Sequence, residues 1–200
     1  MKQFPTLQTE RLVLRQFELT DAKDVQCLAG DRNIADTTLN VPHPYEDGMA
    51  EQWISTHKPK FEAGELTTFA ITLRDNGTLI GAIHLRIVSK FDRAELGYWI
   101  GKIYWNNGYC TEACRAVLEY GFTVINLNRI NASHLKRNPA SGRVIQKLGM
   151  IYEGCAREHV KKWDVFDDLE LYAILKVEWQ KYTEQGHARA KVNPKPWEST

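Results

Sequence analysis

Residues 95–123 read Glu95-Leu-Gly-Tyr-Trp-Ile-Gly-Lys-Ile-Tyr-Trp-Asn-Asn-Gly-Tyr-Cys-Thr-Glu-Ala-Cys-Arg-Ala-Val-Leu-Glu-Tyr-Gly-Phe-Thr123. A β-rich apolar run gives way to an Asn- and Gly-bearing loop, and then to helical spacing at Val117, Leu118 and Phe122: strand, loop, helix. With the helix expected to start near Thr111, the loop from Trp105 through Asn106, Asn107, Gly108 and Tyr109 to Cys110 points consecutive N–H groups into one concavity. Unpaired amides at the positive end of a helix bind anions. Gly108 lets the backbone approach a phosphate or take a positive φ, and the small Cys110 keeps bulk away. No Lys-Ser/Thr follows Gly108, which argues against a nucleotide-hydrolysing P-loop.

On the N-terminal side of this stretch, Asp75-Asn-Gly77 marks a hairpin between strands expected over 66–74 and 78–88. The short turn 89–92 returns the next strand beside the last, with Arg86 opposite Glu95 and His84 opposite Gly97. A strand is expected near 129–135, parallel to the one at Glu95 because a helix crosses over between them. Earlier, Leu12 and Leu14 face one side of a first strand, Thr20 is the expected cap of a helix, residues 31–45 form a loop, and one helix spans 46–62. Later, Asn138-Pro139 opens a helix, Asn as cap and Pro at the first helical position. Two closing strands, 150–159 and 169–177, flank a polar and aromatic loop over 161–167.

Two hundred residues, 43% hydrophobic and 26% charged, suit one α/β domain over 1–185 with a mobile tail over 186–200. Net charge is +1 with Lys and Arg dispersed, so neither nucleic acid nor an anionic membrane is an expected partner. The start Met-Lys-Gln-Phe-Pro lacks a signal-peptide core and no long apolar run follows, so a cytoplasmic location is expected. Cys27, Cys110, Cys114 and Cys155 show no zinc-type spacing, and no metal is expected.

The strand–loop–helix order resembles the acetyl-CoA motif of the GNAT N-acetyltransferases, Gln/Arg-x-x-Gly-x-Gly/Ala, with Trp105 at the Gln/Arg place and Cys110 at the last. Leu7-Gln-Thr-Glu-Arg-Leu-Val-Leu-Arg15, Val41-Pro-His-Pro-Tyr45 and Asn138-Pro-Ala-Ser-Gly-Arg-Val-Ile-Gln-Lys-Leu-Gly-Met150 extend the resemblance to the RimJ/RimL-type ribosomal-protein N-terminal acetyltransferases, over roughly residues 7–180. It implies a mixed α/β sheet of six to seven strands with helices on both faces, binding acetyl-CoA without a metal. Backbone amides at Asn107, Gly108, Tyr109, Cys110 and Thr111 would bind the pyrophosphate, and Tyr98, Trp99 and Ile100 would bind pantetheine as an added strand does. Asn138 matches an asparagine that contacts coenzyme A, although helix capping alone explains it equally well.

Amine attack on a thioester requires a neutral amine, a place for developing oxyanion charge and a donor to the leaving thiolate. Near pH 7, roughly a tenth to a sixth of an α-amine is already neutral, against about four in ten thousand for a lysine, so an N-terminal acceptor needs only a modest base. Glu95 is the expected base, directly or through a water, sharing a strand face with Trp99; its rival role is a cross-strand pair with Arg86, which would make it a poorer base. His84 is a second candidate, against a structural role on the sheet. The tyrosine acid common in the family falls at Ile145 here, leaving Ser141 to donate to sulfur or simply complete the cap. Glu112 reads as a first-turn charge favoured by the helix dipole. The expected acceptor is a protein N-terminus, with a small amine as the alternative, a non-catalytic acyl-CoA sensor as another, and either a monomer or a homodimer accommodated.

Overall fold

Alternation along β5 (Arg93–Ile100) sorts its side chains between two apolar layers. Leu96 and Ile100 join a large core beneath α5 (Tyr109–Thr123), whereas Trp99 joins a smaller one beneath α1 (Ala22–Ala29) and α3 (Met49–Ser55). In the computed structural model, which describes residues 3–186, eight strands form one sheet in the order β1 (Leu7–Gln8), β2 (Leu12–Arg15), β3 (Leu66–Leu73), β4 (Leu79–Val88), β5, β6 (Arg129–Leu135), β8 (Val165–Leu175) and β7 (Ile151–Lys162). The β5–β6 pair is parallel and every other neighbour is antiparallel. The crossover therefore runs through α5, as expected. Buried Phe122 and Phe69 lie in the α5-side core, each adding about 1.5–3 kcal/mol of hydrophobic stabilisation.

The strand count exceeds the expected six to seven because the first strand is broken. Thr9 Oγ1 accepts the Leu12 N–H (3.0 Å) and the Thr9 N–H donates to Leu12 O (2.9 Å), folding residues 9–11 into a turn between β1 and β2. Thr20 does not cap the first helix. Glu18 stands at the start of a 3₁₀ turn, Leu19–Asp21, and the Asp21 carboxylate accepts the Glu18 N–H (2.8 Å) while Arg15 grips it with two bonds of 2.8 Å. Residues 31–45 are not all loop: α2 (Arg32–Thr37) forms there, with the Asp31 carboxylate accepting the Asn33 N–H. The single helix expected over 46–62 is two, α3 and α4 (His57–Glu62), meeting at Thr56.

Further along, α6 (Pro139–Gln146) is capped by Asn138 as its sequence predicts. The expected loop over 161–167 shrinks to Trp163 and Asp164, both at positive φ, and β7 and β8 continue to either side of that tight turn. The last expected strand stops at Leu175 and α7 (Lys176–Glu184) follows. Its start is fixed by Glu178, whose carboxylate accepts the Leu175 N–H (2.8 Å), and its place by buried Trp179, whose indole donates to Glu119 (2.8 Å). Beyond Gly186, the tail expected over 186–200 lies outside the described residues. No described helix is long and apolar enough to cross a membrane.

Candidate active site

Only three residue pairs join β5 to β6, from Arg93 opposite Arg129 to Glu95 opposite Asn131. Beyond Glu95 the strands diverge, leaving the β6 side of Tyr98, Trp99 and Ile100 without a strand neighbour, which is the open edge that strand addition needs. The loop beyond β5 leads into α5 through Gly108, whose φ of +78° places it in the left-handed region as the N-cap. The helix thus starts at Tyr109, two residues earlier than expected. The first helical hydrogen bond runs from Glu112 N–H to Gly108 O (3.1 Å), so the amides of Tyr109, Cys110 and Thr111 precede it and lie at the positive helix end.

Side chains of this loop turn away from that role. Trp105 donates its indole N–H to Ile100 O (2.6 Å), Asn107 donates to Tyr104 O and Trp105 O, and Cys110 packs against the core. Glu112 does more than answer the dipole: it accepts from Thr9 Oγ1 (2.6 Å), from Arg11 N–H (2.9 Å) and from Arg11 Nε (2.7 Å). Arg11 also donates to Asn107 O (3.0 Å) and lies over the Tyr109 ring at 4.7 Å, so the β1–β2 turn braces the loop that leads into α5. The pairing of Arg11 with Glu112, 101 residues later, carries no spacing signal in the sequence.

A cleft of about 570 Å³ opens beside β5 and reaches Ser141. Glu95 and Trp99 share its sheet wall, as expected from strand alternation, with His84 and Arg86 from β4. Arg86 is opposite Glu95 and His84 opposite Gly97, matching the expected register. Yet among the described residues no ion pair joins Arg86 to Glu95, which leaves the carboxylate unengaged by the rival role. His84 lies flat on Gly97, where a Cβ would be 2.5 Å from its Cε1. Burial, with Arg86 adding repulsion, pushes His84 down to about 4, and burial likewise holds His57 at about 4, so both imidazoles are neutral near pH 7. His57 is enclosed by Phe17 and Trp53, and neither ring nitrogen has a hydrogen-bond partner among the described residues.

The far wall is residues 37–42, held in part by Lys162, which sequence reading missed. Lys162, at the hairpin tip, donates to the carbonyls of Ala35, Thr38 (2.5 Å) and Val41 (3.3 Å); burial, with nearby Arg137, pushes its ammonium below the ordinary lysine range. Asn138 caps α6 through Oδ1, which accepts the Ser141 N–H (3.2 Å), and its Nδ2 donates to Thr37 O (3.1 Å). Its amide is therefore engaged twice within the chain, in capping and in tethering this wall. Arg137 adds an ion pair to Asp36 (3.2 Å) in α2 and one to Asp167 (2.7 Å) in β8. Ser141 Oγ lies 2.8 Å from the Tyr98 hydroxyl, and Ile145 is buried in the core. No group of three or more His, Cys, Asp or Glu among the described residues could hold a metal ion.

The arrangement offers bare amides for an anion, an open strand edge for an extended ligand, and a cleft bearing one carboxylate and one hydroxyl pair. These residues fit acetyl-CoA: Gly108 admits close approach, and the divergent strands leave room beside Tyr98–Ile100. Residues 11–151 match the family described as "Acetyltransferase (GNAT) domain". Among curated proteins, "Uncharacterized N-acetyltransferase YnaD" of Bacillus subtilis (strain 168) is 35% identical over 171 residues, covering 86% of this chain and 97% of that one. "[Ribosomal protein uS5]-alanine N-acetyltransferase" of Escherichia coli (strain K12) is 25% identical over 179 residues, covering 86% and 92%. Among solved structures, a GNAT-family acetyltransferase from Bacillus anthracis has a TM-score of 0.76 at 27% identity, covering 86% of this chain and 99% of that one.

Proposed function

The chain belongs to the GNAT acetyltransferase family and is an acetyl-CoA-dependent N-acetyltransferase, and from that premise we propose that its acceptor is the N-terminal α-amine of a protein, a ribosomal protein being the first to test. The observation that supports this reading is the charge of the cleft: Glu95 is the single carboxylate among the described residues lining it. A polyamine carries several ammonium groups and calls for several carboxylates, whereas a peptide N-terminus carries one. The similarity to the uS5-alanine enzyme points the same way. Residues 1–185 would act as one catalytic domain, in the cytoplasm.

Acetyl-CoA supplies an activated acetyl group. In the proposed assignment, the amides of Asn107, Gly108, Tyr109, Cys110 and Thr111 hold its pyrophosphate, and Tyr98, Trp99 and Ile100 hold pantetheine by main-chain bonds. Glu95 takes the amine proton, directly or through a water, and the unpaired carboxylate suits an acceptor already partly neutral near pH 7. Ser141 donates to the departing sulfur, and Asn138 sets the position of that serine by capping its helix. Lys162 and Asn138 keep the acceptor wall in place, which lets proximity of the two substrates supply much of the rate. The test is acetyl-CoA turnover on peptides with free Ser, Ala or Met N-termini beside polyamines and aminoglycosides. Turnover on the peptides is the expected result; turnover confined to the small amines would defeat the proposal.

A further inference from the structure

Ile145 occupies the helical position from which a tyrosine could have served the leaving group, and its buried side chain has nothing to donate. A phenol nevertheless reaches the same neighbourhood from the sheet. Tyr98 projects from β5 toward the first turn of α6, where its hydroxyl lies 2.8 Å from Ser141 Oγ and 3.4 Å from Ser141 O. The serine is held at that spot by three constraints. Asn138 Oδ1 accepts the Ser141 N–H, Asn138 Nδ2 ties the helix start to Thr37 O, and Gly142 lets the helix sit against His134, where a Cβ would be 2.7 Å from Nε2.

Two hydroxyls at this separation share one proton, and the phenol is the stronger acid of the two. We propose that Tyr98 is a positioning residue for Ser141: its O–H donates to Ser141 Oγ, so that the serine's own proton is turned into the cleft, where it stabilises the sulfur that leaves. This rests on the reading of the cleft as the place of acetyl transfer. Burial, with Cys110 and Cys114 nearby, pushes the Tyr98 hydroxyl well above its ordinary range despite the bond to Ser141, which keeps the phenol protonated and able to donate. In the transfer, the C–N bond forms and the C–S bond breaks. The amine proton passes toward Glu95 or its water, the sulfur departs as thiolate under the Ser141 hydrogen bond, and it takes a proton from solvent on release. Neither hydroxyl loses its proton, so no buried phenolate is required.

The first measurement needs no acceptor. Coenzyme A bound to the wild-type protein, Tyr98→Phe and Ser141→Ala is titrated while the ultraviolet absorbance of its thiolate is followed. Both variants should hold about tenfold less thiolate at a given pH than the wild type, the effect of one lost hydrogen bond to a charged group. Turnover by Tyr98→Phe should fall about tenfold at unchanged acetyl-CoA KM, with no further loss in the double variant beyond Ser141→Ala. An unmoved thiol titration in either variant, or losses that multiply in the double variant, would overturn the proposal; where Tyr98→Phe does not fold, an unmoved titration in Ser141→Ala overturns it by itself. A wrong acceptor assignment would leave the titration intact, so the two failures are distinguishable.

Discussion

In the proposed assignment the loop before α5 would draw its binding groups from five consecutive residues, Asn107 to Thr111, whereas the cleft proposed for the acceptor is walled by segments as far apart as Val25 and Ser141. The first would work through main-chain N–H groups, which every residue but proline carries, with Gly108 a special case because of its φ. The second depends on particular side chains, Lys162, Asn138 and Arg137, each reaching from the C-terminal half of the chain to residues 35–41 or to Asp36. Local, main-chain construction tolerates substitution. Long-range construction by single side chains does not.

Substitution experiments can probe that contrast. In the acceptor half, Glu95→Gln should lower turnover about 100-fold or more while leaving the acetyl-CoA KM near its starting value, as expected when a general base is lost. A matching rise in the acetyl-CoA KM would move Glu95 out of the acceptor half. Acid should loosen the same half next. His57 and His84 are held at about 4 against an ordinary 6.5, so the unfolded chain binds protons that the folded one refuses, and their contribution is complete above pH 6.5 and lost as pH falls toward 4. At pH 5 this amounts to about 2 kcal/mol per histidine at most. Thermal melts at pH 7 and pH 5 should differ by several degrees, and by less in His84→Asn.

In the donor half, Gly108→Val should weaken acetyl-CoA binding about tenfold in calorimetry, because a β-branched residue is strained at φ +78°. Lys162→Met, which leaves three carbonyls without their donor, should raise the acceptor KM about fivefold and leave acetyl-CoA binding unchanged. The smallest effect belongs to Cys110→Ala, with less than about a twofold change in acetyl-CoA affinity if the amide, and not the thiol, is the binding group. A large loss there would end the distinction between a main-chain donor site and a side-chain acceptor site.

The same contrast explains what could be read in the residues alone. The register that sets Arg86 opposite Glu95 follows from a short turn between two alternating strands, and Asn138-Pro139 announces a helix by its own chemistry. The start of α5 was displaced by two residues because Gly108 itself takes the cap conformation, a choice made by φ and invisible to hydrophobic spacing. α2 is six residues long, too short to display a period, although Asp31 ahead of Ile34 and Ala35 was a legible start signal. The Lys162 and Arg11 clamps had no signal at all, since nothing in a linear spacing of 101 or 124 residues singles out a partner. The Tyr98–Ser141 pair, 43 residues apart, belongs with them.

Lys162 also sets an order of completion. A chain leaving the ribosome emits residues 35–41 early, yet the ammonium that clasps them arrives only with the hairpin some 120 residues later. Arg11 and Glu112 are both made before Lys162, so the Lys162 clasp is the last of the ties to residues 35–41 that can close.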